Sequence, residues 1–156
     1  MSVQEYLAMQ GSGSKKRGHP EHDEQVKVFE WAEIISNKHP ELKLLMAIPN
    51  GASYGGGGGR WNIAKRMKAE GVRSGVPDIF LPVPRREGRM QVLNVVGWND
   101  IFHGLWIEMK AGKNKPNKQQ EWWLKELEVM GYRTRVCYSA EEAIEEIQEY
   151  LNLDES

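Results

Sequence analysis

Cysteine is almost missing from this chain: Cys137 is the only one among 156 residues. A single thiol excludes an intrachain disulfide framework and a cysteine-rich zinc site. Long hydrophobic runs are missing too. No stretch of about 18 apolar residues occurs, so no membrane span is expected. The opening MSVQEYLAMQGSGSKKRG holds no apolar run suited to a secretory signal, and a cytoplasmic protein is expected. Histidine is sparse. His19, His22, His39 and His103 share no ligand spacing, which disfavours a histidine-based metal or nuclease centre. Nor is there a large excess of one charge, the formal net charge being −1. What is present is the composition of an ordinary folded domain, 40% hydrophobic and 28% charged, at a length that suits one core.

The charges that cancel overall are unevenly placed. Lys15, Lys16 and Arg17 form one basic cluster. Arg60, Lys65, Arg66, Lys68 and Arg73 form a second, and Lys110, Lys113, Lys115 and Lys118 a third. Much of the acid lies from Glu141 to Glu155. A basic face backed by an acidic helix can hold a phosphate backbone. Charge alone is read equally well as the solubilising of exposed faces.

Hydrophobic spacing gives the element order. Residues 1–18, with their GSGS, read as a flexible N-terminal segment ahead of a domain over 19–156. Val28, Ala32 and Ile35 recur at helical spacing and predict a helix from Glu21 to Asn37, ended by His39-Pro40. LKLLMAI (42–48) reads as a buried strand stopped by Pro49, followed by a glycine-rich loop over 50–60. Trp61–Glu70 predicts a helix with Gly71 at its C-terminal cap. Strands are expected over Asp78–Val83, Met90–Val96, Leu105–Lys110 and Arg133–Tyr138, with a turn over 84–88. Asn117 with Gln120, and Ser139 with Glu142, make capping boxes for two helices, reaching Met130 and Leu151. Trp122, Trp123, Leu127 and Met130 read as core rather than as a base-stacking platform. The sum is an α/β fold with a mixed central sheet flanked by helices.

Two short stretches carry chemistry. Along LWIEMK, Leu105, Ile107 and Met109 face one way, and Trp106, Glu108 and Lys110 the other. A carboxylate and an ammonium thus share a face, which by itself is no more than a loose ion pair. In GVPDIFL, Asp78 opens an apolar strand just after Pro77. If the two strands pair, Asp78 and Glu108 converge. Two carboxylates with open positions suit Mg²⁺, which prefers oxygen ligands and keeps several waters. The ion can orient a phosphate and acidify an attacking water, and Lys110 can stabilise charge that develops on the phosphate.

Pro-Asp followed by Glu-x-Lys resembles the signature of the restriction-endonuclease-like PD-(D/E)xK nuclease superfamily. The surrounding blocks narrow the resemblance. Glu21 to Gln25, Pro49-Asn50-Gly51, Gly71-Val72, Gly75 to Leu81, Gly104 to Lys110, Gln119 with Trp122, and Gly131-Tyr132 are similar to one member family, the VRR-NUC (virus-type replication-repair nuclease) domain. The likeness runs from about Glu21 to Leu151.

What that resemblance implies is a Mg²⁺- or Mn²⁺-dependent endodeoxyribonuclease of restriction-endonuclease-like fold. Asp78 and Glu108 match the metal-binding acids, Lys110 the catalytic lysine, and Gln119 a further active-site residue. Glu21 matches the acid of the first helix and is expected at the metal directly or through water, with Glu24 its rival. From the residues themselves, Asn50, Arg60, Lys65, Arg66 and Lys113 are the ones expected to touch DNA, with Asn50 read at least as well as a turn former and Arg60, Lys65 and Arg66 also as ordinary exposed charge. The implied substrate is branched DNA or a four-way (Holliday) junction, cut by a homodimer of phage or bacterial type, with DNA repair as a setting. The alternatives are a sequence-specific or general duplex nuclease or nickase, and a DNA-binding module without activity. The stretch from Arg85 to His103 departs from the family pattern, with an extra apolar segment between Asp78 and Glu108.

Overall fold

Alternation along one short strand organises the molecule. In the computed structural model, which describes residues 3–9, 20–49, 60–86 and 101–153, Leu105, Ile107 and Met109 are buried on one side of strand β5 (Leu105–Met109). That side packs against two helices, α2 (Pro20–Ile35) and α5 (Ala140–Leu151). Val28, Trp31, Ala32 and Ile35 of α2 meet Ala143, Ile144, Ile147, Tyr150 and Leu151 of α5 in the same core. Burying each large side chain contributes roughly 1.5–3 kcal/mol before the entropy of ordering it is subtracted.

The central sheet has the order β1-β2-β5-β6, with β1 (Met46–Ala47), β2 (Ile79–Leu81) and β6 (Arg133–Cys137). β1 pairs β2 and β2 pairs β5 antiparallel, while β5 pairs β6 parallel. The sheet is therefore mixed, as expected from the sequence. Parallel neighbours need a crossover, and helix α4 (Lys118–Val129) supplies it. A second, two-stranded sheet joins β3 (Arg85–Arg86) to β4 (Ile101–Phe102). Helix α3 (Arg60–Ala69) precedes β2, and Gly71 at φ +97° takes the left-handed conformation expected at its cap.

Several expectations are corrected. Residues 42–48 do not make a buried strand. Pro40 opens a 3₁₀ turn over Pro40–Leu44, and only Met46–Ala47, both exposed, pair as strand. Proline at the first helical position favours a turn of helix over an extended chain. Residues 85–86, read as part of a turn, pair with β4. Val3–Met9, placed in a flexible segment, form helix α1, whose Val3 and Tyr6 are buried against α5. Tyr6 donates its hydroxyl to Lys27 O at 3.0 Å, so this helix is tied to α2 as well. Helix α4 carries only half-buried and exposed residues. Trp122 is 54% and Met130 62% exposed, so neither belongs to the core. The expected strand Met90–Val96 lies outside the described residues. Among the described residues, no helix is long and apolar enough to cross a membrane.

Candidate active site

The register of β2 on β5 sets the site. Ile79 stands opposite Ile107 and Phe80 opposite Trp106. Carried one residue further, this register puts Asp78 opposite Glu108, on the sheet face away from the α2–α5 core. Asp78 Oδ2 accepts the Met109 N–H at 2.9 Å, which fixes the acid to the neighbouring strand. Gly75, at φ +80°, lets the chain turn into Pro77 and Asp78. A Cβ at Gly75 would lie 2.8 Å from Gln119 Cγ and 3.2 Å from its carbonyl carbon, so helix α4 packs directly on that turn.

Glu108 is fully buried. Its Oε1 accepts from Lys110 Nζ at 2.7 Å and also from the Gln120 side-chain amide. Its Oε2 is buried with no hydrogen-bond partner. Burial and the nearby Asp78 charge push the Glu108 carboxyl up to about 7, against the opposing pull of Lys110. Burial alone would lower the Lys110 ammonium. Its bond to Glu108, with the further pull of Glu21 and Asp78, outweighs that and holds its pKa above the usual lysine value. Two crowded carboxylates, Asp78 half-buried and Glu108 fully buried with one oxygen unpaired, form the donor set that a divalent cation relieves. The residues present thus fit Mg²⁺ or Mn²⁺, with Asp78 and Glu108 as the carboxylates.

Glu21 reaches the same place from α2. Its Oε1 accepts the Ala111 N–H at 3.2 Å, just beyond Lys110. Among the described residues, no three histidine, cysteine or acidic side chains gather into one metal-holding group. Glu21 is thus held beside the Asp78–Glu108 pair, close enough for its charge to act on both Glu108 and Lys110. Glu24 is spoken for elsewhere. It pairs with Lys27 at 2.5 Å and accepts the Ala140 N–H at 2.7 Å, at the start of α5. Burial opposes its charge, but these partners win and hold its pKa below the ordinary carboxylate value.

Gln119 is not the glutamine at Glu108. It accepts from Ser74 Oγ at 3.1 Å and lies over the Ser74–Gly75 turn. Gln120, one residue on, makes the contact. Asn117 and Gln120 form the capping box, with Gln120 Oε1 accepting the Asn117 N–H at 3.0 Å. That bond turns the Gln120 NH₂ toward Glu108. The sequence holds the signal for this, since Gln120 was already legible as the capping partner, but not the direction of its second half.

Of the residues expected to touch DNA, Lys65 and Arg66 are exposed on α3, and Arg66 pairs with Glu70 at 2.8 Å. Lys113 is exposed on the loop that follows Lys110. Asn50 lies outside the described residues, as does the side chain of Arg60.

Asp78, Glu108 and Lys110 thus meet on one face of a mixed sheet, the arrangement that the PD-(D/E)xK resemblance leads one to expect. The family model of the VRR-NUC domain matches residues 56–141, more than half of the 156, and the chain belongs to that family. A solved structure described as a VRR_NUC domain protein superposes with a TM-score of 0.63 at 24% identity, over 88% of this chain and 92% of that one. At that identity the likeness shows the shared fold. Comparison with curated proteins gives no match.

Proposed function

We propose that this protein is a metal-dependent endonuclease that hydrolyses phosphodiester bonds in DNA, with branched or four-way junction DNA as the preferred substrate. The observation that carries this reading is the Asp78–Glu108 pair, with Glu108 Oε2 buried and unpartnered beside the Lys110 ammonium. A bound Mg²⁺ or Mn²⁺ would offset phosphate charge and acidify an attacking water. Asp78 and Glu108 would hold it. Lys110, kept charged by its acidic neighbours, is a donor and not a base. It stabilises charge developing on the phosphate oxygens. Gln120 fixes the Glu108 carboxylate, and Glu21 positions the backbone at Ala111 or reaches the site through water. Lys113, Lys115 and Lys118, all exposed beyond Lys110, suit a phosphate backbone. Contacts of that kind read shape rather than base edges, which favours a junction over one sequence. A homodimer would present two such centres to two strands.

The test is cleavage of a labelled four-way junction and a matched linear duplex, with Mg²⁺ and with EDTA. The expected result is a metal-dependent product, stronger from the junction. No metal-dependent product from either substrate refutes the nuclease reading, and equal cutting of both refutes the junction preference.

A further inference from the structure

Helix α4 does two things at once. Its inner side delivers Gln120 to Glu108, and its outer side is left uncovered. Lys118, Trp122, Lys125 and Val129 follow one another at spacings of four, three and four, so they stack along one face. All four are exposed, Trp122 by 54% and Val129 by 69%. Trp122, Val129 and Met130 together leave apolar surface open on this side of the helix, and clustered rather than single exposure is what marks a contact surface.

Trp122 is also held in place. Its ring meets Trp123 edge-on at 5.2 Å and 74°. Trp123 in turn donates its indole N–H to Ser74 O at 3.1 Å. Ser74 belongs to the turn that leads into Asp78. The exposed indole is thus tied through two contacts to the strand that carries an acid of the candidate centre. An ordered aromatic face loses little entropy on stacking.

The charges choose the partner. Lys118 and Lys125 flank Trp122 on the same face, and Lys113 and Lys115 extend the basic line toward Lys110. Glu121 and Glu128 lie on one adjoining flank and the half-buried Glu126, four residues after Trp122, on the other, while Glu128 accepts from Thr134 Oγ1 at 2.6 Å, on β6. Lysines on either side of an open indole match a nucleic acid strand, whose phosphates meet the lysines while a base meets the ring. A duplex keeps its bases stacked inside. Only an unpaired nucleotide offers a π-face to a side chain.

We infer that the outer face of α4, Lys118–Trp122–Lys125, is a binding surface for an unpaired strand of the DNA substrate, with a base stacked on Trp122. This rests on the nuclease reading above and adds what lies beside the cut: a single-stranded or frayed arm.

The test is fluorescence anisotropy of the full chain in EDTA, where cutting is suppressed. The probes are a fork with two unpaired arms and a fully paired duplex of the same core sequence. Trp122→Ala is expected to weaken fork binding roughly 5- to 150-fold, the span of one lost base–aromatic stack, and to leave duplex binding unchanged. Trp122→Phe is expected to recover part of the loss. Lys118→Ala with Lys125→Ala should lower the salt slope of fork binding by about 0.7 per lysine. Unchanged fork affinity in Trp122→Ala overturns the inference, as does an equal loss on fork and duplex. A change in sedimentation of the free variant without a change in DNA affinity overturns it too, because the face would then cover a second copy. A wild-type protein that binds the fork but cuts nothing with Mg²⁺ refutes the nuclease reading and leaves the stacking result standing, so the two failures are distinguishable.

Discussion

Gln120 donates its side-chain amide to the carboxylate of Glu108, and the cap of its own helix aims it there. One side chain therefore joins the start of α4 to the buried acid. Gln120→Ala is expected to lower the cleavage rate on the order of 10–100-fold, the usual cost of losing a group that orients a metal ligand. Asn117→Ala should give a smaller loss of rate with about 1 kcal/mol of stability. Gln119→Ala should cut nearly as well as wild type. Steady-state cleavage and thermal denaturation of the three variants check this, and a Gln119 variant as slow as the Gln120 variant contradicts it.

Lys110→Ala removes the only cation bonded to Glu108 among the described residues. Cleavage should fall by about 10²–10³-fold or more, while junction binding in EDTA stays within a few-fold of wild type. Asp78→Ala should abolish cutting as well. A Lys110 variant that loses binding in step with cleavage would assign the lysine to substrate capture instead.

The metal-free protein should lose stability as pH rises across the weakly acidic range. Folding raises the Glu108 carboxyl from 4.5 to about 7, so between those values the folded state holds a proton that the unfolded chain has released. Stability from this group is complete below the unfolded value and is lost as pH climbs through the folded one. Glu24 and Glu149, whose pKa values are lowered, act the other way at more acidic pH. In EDTA, Tm should decline from about pH 5 to pH 7, and saturating Mg²⁺ should flatten the decline by favouring the ionised acid. Glu108→Gln should remove the slope. An unchanged slope in that variant would place its origin elsewhere.

Gly75 and Gly71 both sit at positive φ, but only Gly75 is crowded. Gly71→Ala meets open space and carries the backbone strain alone, about 1 kcal/mol. Gly75→Ala adds a collision with Gln119 and should cost about 2–3 kcal/mol. It should also slow cleavage, because the same turn presents Asp78. Equal stability of the two variants in denaturant titrations would show that α4 yields freely.

The sequence made the centre of the sheet legible. Alternation in LWIEMK assigned Glu108 and Lys110 to one face, and the proline before Asp78 marked where the partner strand begins. The caps at Asn117 and Ser139 were equally plain, since capping is a local matter of a few residues. What stayed hidden depends on partners far along the chain. Tyr6 is buried where α1 packs against α5 and bonds to α2, and nothing near Tyr6 announces either helix. The choice between Gln119 and Gln120 turns on helix phase, which one step of the N-cap decides. The open face of Trp122 was misread because tryptophan at helical spacing suggests core, and its exposure becomes visible only once α4 is docked. The pairing of Arg85–Arg86 with Ile101–Phe102 spans an interval with no turn signal short enough to foretell it.

The parallel pairing of β5 with β6 has a consequence for how the protein assembles itself. Glu108, Lys110 and Gln120 all lie in one strand–helix–strand unit and meet through nearby chain. Asp78 must join from 31 residues before its bond partner Met109, and Glu21 from 90 before Ala111. Closing long loops is slow. A refolding chain should regain helix and the Lys110–Glu108 contact first, and competence to cut last, when the distant acids arrive.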